Sequence, residues 1–149
     1  MGLMKYITSS FFVLLLFLTS CTSQKKMQTK TPFKIGNATS QQYIGGREES
    51  RSGTELRIPL SFSNTIEIKI NHVFFRGKEA QSALDTLENE KVLVVKMPND
   101  LIESSEAINL KLKFDEAVIS YNENGETKYA KVQGIKQKQP LIYKSAPKN

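Results

Sequence analysis

The chain is short of chemistry-bearing residues. It has one cysteine, one histidine, no tryptophan and only three aspartates among 149 residues. A single cysteine, Cys21, excludes any internal disulfide. A single histidine, His72, excludes zinc sites of the two- or three-His kind within one chain. As a general base His72 would need a nucleophile and an orienting acid, and no Gly-x-Ser-x-Gly elbow is present, so it reads as structural or surface. Asp85, Asp100 and Asp115 are scattered, and no Asp-x-Asp-x-Asp-Gly loop offers a dedicated calcium site. Gly45-Gly46 is not followed by Gly-Lys-Ser/Thr, which excludes a P-loop. The lack of tryptophan argues against a carbohydrate-stacking platform. No cofactor motif and no metal-ligand set emerges.

Long apolar runs are also missing. Ile7 to Leu18 is apolar save for Thr8, Ser9 and Ser10. It is too short for a membrane-spanning helix, which needs about 20 residues, and it matches the length of a secretory h-region. Lys5 and the α-amino group form a short positive n-region ahead of it. The run stops at Cys21 and turns polar at once. Leu18-Thr19-Ser20-Cys21 resembles the lipobox of bacterial lipoproteins, an aliphatic residue and two small ones before a cysteine. That resemblance implies cleavage between Ser20 and Cys21, diacylglycerol on the Cys21 thiol, and acylation of the new amino group. Two or three chains hold a protein on a bilayer durably, at about 0.8 kcal/mol per buried methylene, where one chain does not. Residues 1–20 thus read as signal peptide and 21–31 as lipidated cysteine and polar tether. Thr22 to Lys30 lacks periodicity, and its nine residues extend to roughly 30 Å. Ser23-x-x-Lys26 has the penicillin-binding spacing but lies in this tether, away from any packed helix.

Cleavage leaves 129 of the 149 residues, with 20 Lys+Arg against 15 Asp+Glu once Lys5 is gone. That length predicts one domain, residues 32–149 with a short C-terminal tail, able to bury somewhat over 60% of its unfolded surface. The basic excess is dispersed, with no Lys/Arg block, and reads as a solvated surface and not a nucleic-acid footprint.

From Pro32 onward the pattern predicts short strands. In "ELRIPLSF", Leu56, Ile58, Leu60 and Phe62 alternate with Glu55, Arg57, Pro59 and Ser61, a half-buried strand that Pro59 would place at a sheet edge. "TIEIKINHVFF" alternates through Ile70, then breaks parity at Val73-Phe74-Phe75. A bulge near Asn71-His72 or burial on both faces accounts for that. "KVLVVK" is a core strand, and "INLKLKF" (Ile108 to Phe114) alternates like another. Lys78 to Glu90 has helix-forming composition between strand neighbours and reads as strand, with Gly77 as the turn. Asn124-Gly125 between β-rich runs predicts a type I′ hairpin pairing Ala117 with Val132, Ile119 with Ala130 and Tyr121 with Lys128. The whole predicts an all-β antiparallel two-sheet sandwich, Ig-like in general architecture; a small closed barrel is the alternative.

"HVFFRGK", "FDEAVISYNENGETKYAKV" and "PLIYKSAP" resemble segments of a group of small uncharacterised flavobacterial lipoproteins, across most of residues 32–147. The resemblance implies location and a β fold, and no activity. In that bacterial type, acidic residues after the lipidated cysteine direct export to the cell surface. Thr22 to Lys26 has none, which implies the periplasmic face of the outer membrane. Asp85-Thr86-Leu87 resembles the group's short O-glycosylation motif, making Thr86 a candidate site. Glu48-Glu49 and Glu88/Glu90 have acid/base spacing but read as solvated loop acids. The Gly-bounded loop Gly45 to Gly53, with Arg47, Glu48, Glu49 and Arg51, is the candidate partner-binding loop. The expected role, read from the missing catalytic constellations, is a non-enzymatic binding or structural accessory with another envelope protein as partner. The rival is a small-ligand binder or enzyme with a site of scattered Glu, Arg and Tyr.

Overall fold

The period-two runs form strands in a computed structural model that describes residues 25–45, 51–63, 67–87 and 90–143. In chain order the elements are β1 (Phe33–Ile35), β2 (Thr39–Ile44), β3 (Gly53–Phe62), β4 (Ile68–Phe75), β5 (Lys78–Gln81), β6 (Ala83–Leu87) and β7 (Glu90–Pro98). The short helix α1 (Ser105–Asn109) follows, then β8 (Ala117–Glu123), β9 (Glu126–Val132) and β10 (Lys136–Ile142). Sheet one runs β10-β2-β3-β7-β6, with β1 also on β3; sheet two runs β5-β4-β8-β9. Neither sheet closes on itself, so the fold is a two-sheet sandwich and not a barrel. Every named pair is antiparallel except β10 on β2, which is parallel. Among the described residues no helix is long and apolar enough to cross a membrane.

The inward side chains of both sheets make one core. Leu56, Ile58 and Leu60 of β3 and Leu93, Val95 and Met97 of β7 face Val73 and Phe75 of β4 and Ala117, Ile119 and Tyr121 of β8. Phe33 meets Tyr121 edge-on, ring centroids 5.1 Å apart, an arrangement that adds about 0.5–1.5 kcal/mol to burial. Asn124 and Gly125 take φ of 52° and 84°, and the hairpin has the predicted register, Ala117 on Val132, Ile119 on Ala130 and Tyr121 on Lys128.

The β4 register shifts between Ile70 and His72, leaving Asn71 as the bulge. Beyond it Val73 and Phe75 enter the core while Phe74 turns outward and is buried there too. Residues 78–87 are strands despite their helical composition. Arg76 and Gly77, with φ of 48° and 74°, close a hairpin that commits β5 to pairing with β4.

Two expectations are corrected. Pro59 lies in a central strand, between β7 on one flank and β1 and β2 on the other. Its carbonyl accepts from Gly36 N–H at 2.8 Å, on the flank where the chain passes from the end of β1 at Ile35 to the start of β2 at Thr39. A strand residue's N–H and C=O point to the same side. The donor that proline lacks therefore falls in the handover between β1 and β2 and breaks no ladder bond.

Ile108 to Phe114 is no strand. Ile108 N–H bonds Ser104 C=O at 3.0 Å within α1, and Lys111 then turns back with φ of 48°. The alternating Leu110 and Leu112 instead join Met27 and Tyr129 over Phe74, Ala107 and Val118, a second small core on the outer face of sheet two. Met27 also belongs to the segment read as tether, which from Lys25 is docked. Gln28 N–H donates to Tyr129 C=O at 2.8 Å. The Lys25 ammonium sits 4.5 and 4.9 Å from the Phe74 and Tyr129 ring centres and pairs with Glu106.

Candidate functional site

Sheet one carries polar side chains at its outward positions, and the strand register aligns them in rows. One row runs Leu141, Tyr43, Gly53 and Pro98, each directly opposite the next across β10, β2, β3 and β7. The neighbouring row is Gln41, Glu55 and Lys96. Arg57 lies two residues beyond Glu55, Arg51 enters from the loop before β3, and Tyr143 follows β10. These side chains enclose a groove of about 400 Å³, within the size range of small-ligand sites.

Gly53 makes the groove possible. A Cβ there would stand 2.5 Å from the Tyr43 hydroxyl oxygen, 2.5 Å from the Met97 carbonyl oxygen and 2.8 Å from Pro98 Cα. The missing side chain lets the Tyr43 ring reach over β3 towards β7. Burial pushes the Tyr43 phenol above its ordinary value, with Glu55 and Asp100 adding to the effect and Arg51 opposing it. It is therefore a neutral hydroxyl donor throughout the physiological range.

Three cations, Arg51, Arg57 and Lys96, line the groove beside one carboxylate, Glu55. Arg57 Nε lies 2.6 Å from Glu55 Oε1, and Arg51 Nη1 lies 3.6 Å from Asp100 Oδ2. Such exposed pairs contribute only about 0–1 kcal/mol, so an incoming anion can displace either. Gln41 Nε2 donates to Gln139 C=O at 2.8 Å and ties β10 down as the groove's outer wall.

Of the candidate loop, Arg51 is in this groove; Arg47, Glu48 and Glu49 lie outside the described residues, as do Ser20 and Cys21. Thr86 is exposed on β6, opposite Lys91, and its N–H donates to Asp85 Oδ1 at 2.8 Å. His72 Nδ1 is 3.5 Å from Glu79 Oε1, and Ser104 Oγ donates to the other oxygen of that carboxylate at 2.8 Å. Among the described residues no hydroxyl is hydrogen-bonded to the imidazole, so no activated nucleophile is assembled there. Among the same residues no three His, Cys, Asp or Glu side chains gather as a metal site.

Tyr43, Lys96 and Tyr143 carry no signal of this groove in the sequence, where Gly53 reads only as the end of the Gly-bounded loop. The outward parity of Glu55 and Arg57 was visible, but their partners come from three other strands. No protein-family model, no curated protein and no solved structure matches the chain. What the geometry defines is an all-β two-sheet sandwich with a cationic, tyrosine-walled groove on one outer face.

Proposed function

We propose that this protein is a lipid-anchored, non-enzymatic binding domain of the bacterial envelope, held by Cys21 on the periplasmic face of the outer membrane. Its binding surface is the groove on sheet one, and its partner is an envelope protein that presents an acidic segment there. The observation that carries the reading is the juxtaposition of Tyr43, seated over Gly53, with Arg51, Arg57 and Lys96. A rigid aromatic wall with donor-bearing cations around it is the composition from which binding hot spots are built. Arginine adds a planar fork matched to carboxylates.

The test is in-cell photocrosslinking from a probe at Gln41 or Tyr143, with the captured contact mapped by mass spectrometry. One recurrent envelope protein, crosslinked through an Asp/Glu-rich segment and lost in Arg57→Glu, is the expected result. Capture indifferent to Arg57→Glu and Arg51→Glu would remove the groove from the account. A second reading is favoured by the groove's volume alone: a small carboxylate-bearing ligand held by the same residues. A metabolite screen by thermal shift separates the two.

A further inference from the structure

Three large apolar side chains stand exposed around one turn. Ile102 is 85% exposed, Phe114 64% and Ile108 52%. The Arg76–Gly77 turn joins them. The Arg76 guanidinium lies 3.4 Å from the Phe114 ring centre, and its Nε donates to Phe114 C=O at 3.2 Å. Ile108 Cγ1 and the Glu103 carboxyl both stand about 4 Å from where a Gly77 Cβ would be, and Ser104 N–H bonds Gly77 C=O at 2.9 Å. Residues 102–114 are thus pinned to the turn with their apolar tips in solvent. The same segments carry Arg76 and the exposed Lys111 and Lys113, and three carboxylates, Glu103, Glu106 and Asp115, of which Glu106 is paired with Lys25.

The chain's entry point bears on what this face meets. Lys25 is paired with Glu106, two residues before Ile108. Only four residue steps separate Lys25 from Cys21, a span of at most about 14 Å. Acyl chains on Cys21 would hold Lys25 within that leash of the lipid, and α1 within it plus the two side chains of the Lys25–Glu106 pair. The four residue steps before Lys25 leave the domain far less room to tumble than the full nine-residue tether would.

We propose that the face formed by α1 and the Arg76–Gly77 turn contacts the membrane, seating Ile102, Ile108 and Phe114 in the headgroup region of the leaflet that holds Cys21. This rests on acylation at Cys21. Exposed apolar tips on a segment that also bears exposed lysines are a composition that binds anionic interfaces, through buried area and charge together.

The test uses the full chain, exported and processed in cells, then reconstituted in phosphatidylethanolamine–phosphatidylglycerol vesicles. Phe114→Cys and Ile102→Cys are labelled with a polarity-sensitive fluorophore, and Thr86→Cys, on the edge strand β6, reports the dye's own affinity for lipid. Acylation blocks Cys21, so each introduced thiol is the one labelled. The expected result is blue-shifted emission at 114 and 102, quenched by a headgroup-attached quencher, with neither effect at 86. Protein that floats with the vesicles while all three labels stay water-like would overturn the inference and leave the anchor standing. Protein that fails to float and keeps a free Cys21 thiol would overturn both.

Discussion

Gly53→Ala probes the groove through a single methyl group. Its Cβ would lie 2.5 Å from the Met97 carbonyl oxygen, 2.5 Å from the Tyr43 hydroxyl and 2.8 Å from Pro98 Cα. Ordinary carbon contacts fall near 3.5–4.0 Å, so each is short by about an ångström. The Tyr43 hydroxyl can swing away. Met97 O and Pro98 Cα cannot, because they are backbone of β7, and Pro98 is the direct partner of Gly53. Overpacking of this kind costs about 1–3 kcal/mol. The alanine regains up to about 0.4–1 kcal/mol by restricting the unfolded chain. The net expectation is a loss of about 1–2 kcal/mol. With a urea m-value of about 1–3 kcal/mol/M, the midpoint falls by roughly 1 M at unchanged m. Displacing Tyr43 also predicts lost partner capture from the groove. Gly125→Ala is the contrast: nothing lies within 4 Å of its Cβ, but φ is 84°, so stability falls while capture survives. Unchanged stability and capture in Gly53→Ala would refute the packing argument.

Tyr121 is fully buried and its hydroxyl has no hydrogen-bond partner among the described residues. Tyr121→Phe should therefore leave the melting temperature unchanged or raise it, by up to about 1 kcal/mol equivalent; a clear loss would reveal a partner for that oxygen. Glu116 is held below its ordinary carboxylate value by the Lys113 N–H first, then by Lys131 and Gln133. Its folded value is the lower one, so its contribution is present above the unfolded value of about 4.3 and is lost as pH falls through the folded value. Thermal melts from pH 6 to pH 2 should show a shallower acid decline in Glu116→Gln than in the parent, and parallel profiles would count against this role. Lys25→Ala removes two ring contacts of about 0.5–1 kcal/mol each and the Glu106 pair. Hydrogen exchange at the Gln28 amide should accelerate while β8 amides keep their protection; an unchanged Gln28 rate would mean that something else docks the segment.

Local chemistry that dictates backbone shape is legible in the sequence alone. Asn124-Gly125 demands positive φ, so the β8–β9 register followed with its inward and outward faces. The parity break at Val73-Phe74-Phe75 signalled the bulge at Asn71. Failures came where tertiary partners decide. Pro59 pointed to an edge because nothing local shows β1 taking over from β2 beside it. Ile108 to Phe114 alternates like a strand, but Leu110 and Leu112 are drawn to Phe74 on the far side of sheet two. β10 gave no signal, since Lys136 to Ile142 is polar, proline-bearing and exposed along its length. The groove was half visible. Arg51 was singled out from its loop and Glu55 and Arg57 face outward by parity, but the Tyr43–Gly53–Pro98 row exists only once β2, β3 and β7 are paired.

The central claim is that the domain works from a lipid anchor at Cys21. Intact-mass and N-terminal peptide mass spectrometry of the protein extracted from membranes tests it most directly. The account predicts a mature chain beginning at Cys21, heavier than its sequence by two or three acyl chains, with Cys21→Ser unprocessed. A chain that retains residues 1–20, or one with a free Cys21 thiol, would contradict it.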